Sequence, residues 1–336
     1  MEAFNLSFLF FFPPRGDEMA THATERTAEK STDPRVRPEV LREFRKHSGS
    51  VLAGAFAGAA FDQVALVPVA AAVDRTGRFE QNFADRGVRS GVSAMIALWG
   101  DSDDRRAEAE WLKLRHRDVR GSGSAAFGEV KYSALNPFTW RWIAVSGIFV
   151  VLNTFTHCTG TELRPEEEEA AYQQLRAAFA DLELPSAAGK LPADLAEART
   201  YYDQMATQEL AENPFLVQKF ADLTKLPLPT LGLPPLARRA LTPMWLALRP
   251  VAGHVIQVCS SKAMHPAVQQ LTGFELKPRH DAEFALYVWL LQLAWRTLPD
   301  RLLMQPLAYN RFQYEKLVAA CRSYGLESFA VPADRR

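Results

Sequence analysis

Residues 85–137 decide the reading of this chain. They run DRGVRSGVSAMIALWG (85–100), an acidic connector DSDDRRAEAE (101–110), and WLKLRHRDVRGSGSAAFGEVKYSALNP (111–137). In the first piece Val88, Val92, Met95, Ile96 and Trp99 recur with helical spacing and define one buried face. The second helix is expected over roughly 103–119, where strong helix formers stand without Pro or Gly, and Gly121 supplies its stop. At helical spacing Ala109, Leu112, His116 and Val119 share a face, and Arg120 lies beside His116. Arg86, Arg89 and Ser90 form an R-x-x-R-S cluster at the start of the first helix. An imidazole on an apolar face, with a guanidinium one turn on, can be a ligand site. The commoner outcome is a core histidine satisfied by a backbone carbonyl. On the residues alone both readings stay open.

The flanking segments are helical too. A short amphipathic helix is expected from Glu39 to Lys46. Val51 to Val73 is rich in Ala, Gly and Val; Asp62, Pro68 and the small residues favour buried, closely packed helices over a membrane span. Phe138 to Phe155 is apolar all round and reads as a fully buried helix, with His157 behind it as a capping or loop histidine. The run Glu166–Glu169 opens another helix, where acidic first-turn residues suit the dipole and need no partner. Further amphipathic helices, a Pro-rich linker at 226–235, Pro-interrupted helices through His254, and a buried helix AEFALYVWLLQLAWRTL complete the chain. Strand signals are few. The fold class is all-α: a disordered lead-in over 1–38, with Met19 as an alternative start, and a single large helical domain over 39–330.

Composition excludes several functions. Of 336 residues, 39 are basic and 39 acidic, a neutral balance that argues against nucleic-acid binding. Cys158, Cys259 and Cys321 are far apart and odd in number, which points to reduced thiols and a cytoplasmic setting. Phe4 to Phe12 is apolar but too short to span a bilayer and lacks the basic start of a secretory signal, which argues against membrane association. The oligomeric state is not written in the sequence. His116-Arg117-Asp118 spells a kinase tripeptide without its metal-holding Asn, since position 123 is Gly. Gly121-x-Gly123-x-x-Ala126 follows a helix rather than a strand and so is no dinucleotide fingerprint. No H-E-x-x-H, G-x-S-x-G or Cys pair is present, and His254 and His265 lack metal-ligand spacing.

The order of motifs resembles the MpaB/rubber oxygenase catalytic-domain family of haem-dependent oxygenases. That family's R-x-x-R/K-T, H-x-x-V-x-G and Y-x-A-x-[DN]-P read here as Arg86 to Ser90, His116 to Gly121, and Tyr132 to Pro137. Arg78-Phe79 matches an upstream pair, while Thr76-Gly77 stands where the family has His-Ser. The resemblance covers roughly 51–311. It implies a globin-like helical core with extra helices, and haem b whose iron is held by His116. Arg86, Ser90 and Arg120 would act as catalytic residues, with Arg86 and Arg120 also binding the cofactor. Arg89 replaces a lysine that caps the iron in some members; arginine cannot shed its proton to do so. Asp74 and Glu80 are the nearest carboxylates for a base. The implied reaction is dioxygenase cleavage of a C=C bond in a small hydrophobic, isoprenoid-like substrate by O2. A haem-free helical protein binding a hydrophobic ligand, and a membrane-associated scaffold anchored by Phe4 to Phe12, are the rivals.

Overall fold

Proline punctuates this chain at the starts of its helices, where a missing N–H costs nothing. In the computed structural model, which describes residues 34–75, 83–228 and 234–326, Pro stands in the first turn of helix after helix. The helices are α1 (Pro38–His47), α2 (Asp62–Ala65), α3 (Val67–Asp74), α4 (Phe83–Trp99), α5 (Ser102–His116), α6 (Pro137–Thr159) and α7 (Pro165–Phe179). They continue as α8 (Leu195–Gln204), α9 (Pro214–Ala221), α10 (Pro235–Ala263), α11 (Pro266–Leu271), α12 (Pro278–Thr297), α13 (Asp300–Leu303) and α14 (Pro306–Ser323). A 3₁₀ segment, Val51–Phe61, follows α1. Among the described residues the only sheet is a two-stranded antiparallel ribbon, β1 (Arg120–Ser122) with β2 (Lys131–Ser133). The fold is all-α and a single domain, as its periodicity predicts. Thr76-Gly77, Arg78-Phe79, Glu80, Phe4 to Phe12 and Met19 lie outside the described residues.

α6 is the axis of the core. Its Trp142, Val145, Ile148, Phe149 and Phe155 are buried, and α1, α7, α12 and the 3₁₀ segment pack round it. By length and composition α6 could cross a membrane, and 56% of its apolar window is buried in the fold. The 3₁₀–α2 run and α3 meet at 102° at Leu66. α10 lies along the 3₁₀ segment and the 222–225 turn, and Gly253 permits that approach, because a Cβ there would stand 2.3 Å from the Leu223 carbonyl oxygen.

Four expectations are corrected. The stretch through Pro243 and Pro250 forms one continuous helix, α10. The prolines lie seven apart on an exposed face, as do Arg239 and Leu246, whose carbonyls they free for water. α12 is buried on one side only: Phe284, Tyr287, Leu291 and Trp295 face the core, while Leu286, Trp289, Leu290 and Leu293 are exposed. His157 neither caps nor loops; it lies inside α6, stacked on Phe56 at 5.7 Å. The acidic run does have partners. Glu167 is fully buried and held by the Arg37 guanidinium at 2.6 and 2.7 Å, while Glu166 pairs with Arg35 and Glu168 with Arg199. Arg37's hydrogen bond pulls the Glu167 carboxyl down to about 2. This clamp ties the chain just before α1 to α7, and Val36 beside it is buried.

A second carboxylate behaves oppositely. Asp62 is buried at the start of α2, accepting hydrogen bonds from Ser146 Oγ and, at 2.9 Å, from Tyr202 Oη. Burial pushes its carboxyl up to about 6, and the two hydroxyls only partly offset that.

Candidate functional site

α4 and α5 form an antiparallel hairpin turned at Gly100–Asp101, where the Asp101 carboxylate caps α5 by accepting from the Asp103 and Asp104 amides. Ser93 Oγ donates to Glu108 across the hairpin, which fixes its register. Continuing that register brings Arg86 level with Arg115 and His116 at the open end, roughly 21 Å from the turn at 1.5 Å per residue. Ser90 comes level with Trp111. Arg86, Arg89 and Ser90 are all exposed residues. Even so, the Arg86 guanidinium is held below its ordinary pKa, first by partial desolvation and then by the like charge of Arg75 at the end of α3. Two cations thus share this end of the hairpin, and Lys113, Arg115, Arg117 and Arg120 follow on the α5 side.

His116 is the last residue of α5, half-buried, with its ring edge-on to Trp140 at 5.5 Å. Its Nδ1 lies 2.7 Å from the Leu112 carbonyl oxygen. An oxygen there requires Nδ1 to carry the proton and donate it, which leaves the Nε2 lone pair bare. Nε2 has no hydrogen-bond partner among the described residues. The carbonyl-satisfied reading of this histidine therefore holds at one nitrogen, while the other stays available, and the bond fixes the tautomer. Trp140 is in turn anchored by donating to the Leu182 carbonyl at 2.6 Å.

The expected helix to Val119 ends three residues early, at His116. The Val119 carbonyl is taken by the Ala134 amide at 2.9 Å, which draws the chain into the ribbon. Arg120 therefore does not lie one helical turn beyond His116; it stands exposed on β1, opposite Ser133. Gly121 is not a helix stop. It faces Tyr132 across the ribbon, and a Cβ there would stand 2.8 Å from the Tyr132 hydroxyl. Asn136 caps α6 by accepting from the Phe138 amide at 2.9 Å, with Pro137 in the first turn. The downstream motif residues thus build the connection that ends α5, crosses α3 and starts α6. Asp74 is half-buried at the end of α3.

Two other places carry polar chemistry. A cavity of about 530 Å³ is lined by Phe149, Arg199, Tyr202, Asp203 and His265, and one of about 220 Å³ by Trp99, Asp101 and Tyr314; His116 borders neither. Separately, His254 on α10 meets His280 and Glu283 on α12, an arrangement whose single sequence signal is the H-x-x-E spacing of the last two.

The fold is that of a helical protein whose hairpin end gathers a histidine and several cations. A family model described as the catalytic domain of ER-bound oxygenase mpaB/B' and rubber oxygenase matches residues 42–293, and the chain belongs to that family. No curated protein and no solved structure matches it. Membership brings dioxygen and a small molecule as the substrates.

Proposed function

We propose that this oxygenase uses haem b, with iron held by His116, and cleaves a C=C bond of a small hydrophobic, isoprenoid-like substrate with O2. The observation that carries the reading is the state of His116: Nδ1 bonded to the Leu112 carbonyl at 2.7 Å, Nε2 bare, at the open end of a hairpin that lies within the residues the family model matches. The donor set fits the group. One neutral imidazole and several cations suit a ligand that brings four nitrogen donors and two carboxylates of its own. Bound haem would supply the dioxygen chemistry; the protein supplies binding and orientation.

His116 would hold the iron through Nε2, its Nδ1–H donation to Leu112 keeping the ring oriented and raising its basicity. Trp140 limits rotation of that ring. Arg86, partly desolvated and close to Arg75, would neutralise a propionate. Arg120, on the ribbon that leaves the same helix end, would meet the second carboxylate or the substrate side. Ser90, level with Trp111, offers one hydroxyl that can donate to an oxygen. Unpaired Cys158, Cys259 and Cys321 support a reducing, cytoplasmic setting.

The test is product analysis under labelled dioxygen, with carbonyl exchange controlled. Cleavage predicts two carbonyl fragments, each carrying one labelled oxygen. Hydroxylated product with the chain intact would replace this reading with a monooxygenase or peroxidase.

A further inference from the structure

His254, His280 and Glu283 bring one ligand atom each to a common point, all within 4.8 Å of one another. We propose that they form a mononuclear site for a divalent first-row transition ion, zinc or ferrous iron, separate from His116.

Two rigid elements carry the cluster. His280 and Glu283 lie three residues apart on α12, one turn along the same face, and His254 comes from α10, which packs against α12. The His254 Nε2 and Glu283 Oε2 are 2.6 Å apart, and the two imidazoles are 5.7 Å apart centre to centre. His280 is 2% exposed and stacked on Phe274 at 5.2 Å, so its ring is fixed in place. His254 and Glu283 are 31% and 29% exposed, which gives an ion its entry and leaves room for water in the remaining positions. Two imidazoles and a carboxylate exclude the oxygen-seeking magnesium and calcium and suit zinc or ferrous iron. Ligand atoms about 2.1 Å from a metal sit roughly 3 Å apart, so the His254–Glu283 pair opens only slightly to admit one.

The surroundings set the cost. Both nitrogens of His280 face N–H donors: Nδ1 the Lys277 amide at 3.0 Å and Nε2 the Arg279 guanidinium at 3.3 Å. A neutral imidazole has one lone pair, so one of these contacts sets two N–H groups against each other. Coordination through His280 Nε2 must displace Arg279 and also turn the Lys277 amide away from Nδ1, which then carries the proton. Arg279 is the free-moving one: its side chain is 67% exposed and it holds Glu283 only at 3.9 Å. Its departure also removes the cation nearest the site.

The test uses the full chain, stripped with a chelator and titrated with Co²⁺ as a spectroscopic stand-in. One equivalent should bind per chain, with visible d–d bands that Zn²⁺ or Fe²⁺ displaces. Glu283→Gln and His254→Gln should each weaken binding about a hundredfold, whereas His265→Gln, whose ring bonds Asp203 and the α11 amide instead, should not change it. Because loss of a buried partner can cost stability, the unmutated Co²⁺-loaded chain gives a second reading: proton NMR should show two hyperfine-shifted, exchangeable imidazole N–H signals. His116→Ala should bind Co²⁺ as the unmutated chain does, so failure of the haem reading leaves this result standing. Absence of stoichiometric binding, fewer than two shifted imidazole signals, or loss of the bands in His116→Ala would overturn the proposal and leave the cluster a simple histidine–glutamate pair.

Discussion

Under the two proposals, the end of the α4–α5 hairpin and the α10–α12 junction would each offer histidine to a metal, and of opposite kinds. At the first, His116 ends α5 with Arg115, Arg117 and Arg120 beside it in the chain, and Arg86 and Arg75 repel each other at the start of α4. At the second, two imidazoles surround a carboxylate. A naked dication would be repelled by the first and held by the second. A haem, arriving with its own four nitrogens and two negative carboxylates, would be favoured at the first and would have no use for the second. The charge around a histidine therefore selects the form in which a metal arrives, before any ligand bond is made.

The largest expected effect separates the two regions by charge. Arg86→Ala should lower haem retention about tenfold, since one cation at a partly desolvated site contributes on the order of 1–2 kcal/mol, while Ser90→Ala should change it about twofold or less. Haem dissociation to an apo-globin acceptor measures both. Equal, unchanged rates would mean the start of α4 does not face the cofactor, and the comparison would lose its first half.

A somewhat smaller effect concerns fold against site. Asp62 lies in neither histidine region, and its carboxyl is raised to about 6 from an ordinary value near 3.8. The folded state then binds the proton more tightly than the unfolded one. Stability is fully present when Asp62 is protonated and falls as pH rises from about 4 through 6. Glu167 has the other sign: its carboxyl is lowered to about 2, so its contribution is present above an ordinary value near 4.5 and is lost as pH falls toward 2. Denaturant titrations from pH 4 to 7 should show a decline with rising pH that Asp62→Asn flattens, with no change in either metal occupancy. An unchanged slope in Asp62→Asn would show that the burial penalty is met elsewhere.

The smallest effect tests the motif's glycine. Gly121→Ala should cost about 1 kcal/mol or less, because the atom a Cβ would meet is the far end of the Tyr132 side chain, read as a slightly lowered Tm, while the absorption spectrum of the folded fraction stays the same. A changed spectrum with unchanged Tm would make Gly121 part of the pocket wall.

These tests also mark what local sequence can carry. The all-α class, the α4 and α5 helices, the Asn136-Pro137 start of α6 and His116 itself are set within a few residues of one another, by periodicity, caps and an i to i−4 carbonyl. The end of α5 is not set locally, because the Ala134 amide, fifteen residues on, claims the Val119 carbonyl. Glu167 looked like a dipole residue because Arg37 stands 130 positions away. α12 looked buried because apolar content does not say that only one face is covered. The His254 cluster joins residues up to 29 apart on separate helices, so His254 shows no metal-ligand spacing in the sequence. For α5, Glu167 and His254 the deciding partner is distant along the chain.

The central claim, iron held by His116 Nε2, is tested most directly by the absorption spectrum of the haem-loaded chain before and after dithionite, beside that of His116→Ala. The account predicts a Soret band that shifts on reduction in the unmutated protein and is lost in His116→Ala, with helical circular dichroism retained. A Soret band of equal strength and position in a well-folded His116→Ala protein, or none in the unmutated chain after loading, would contradict it.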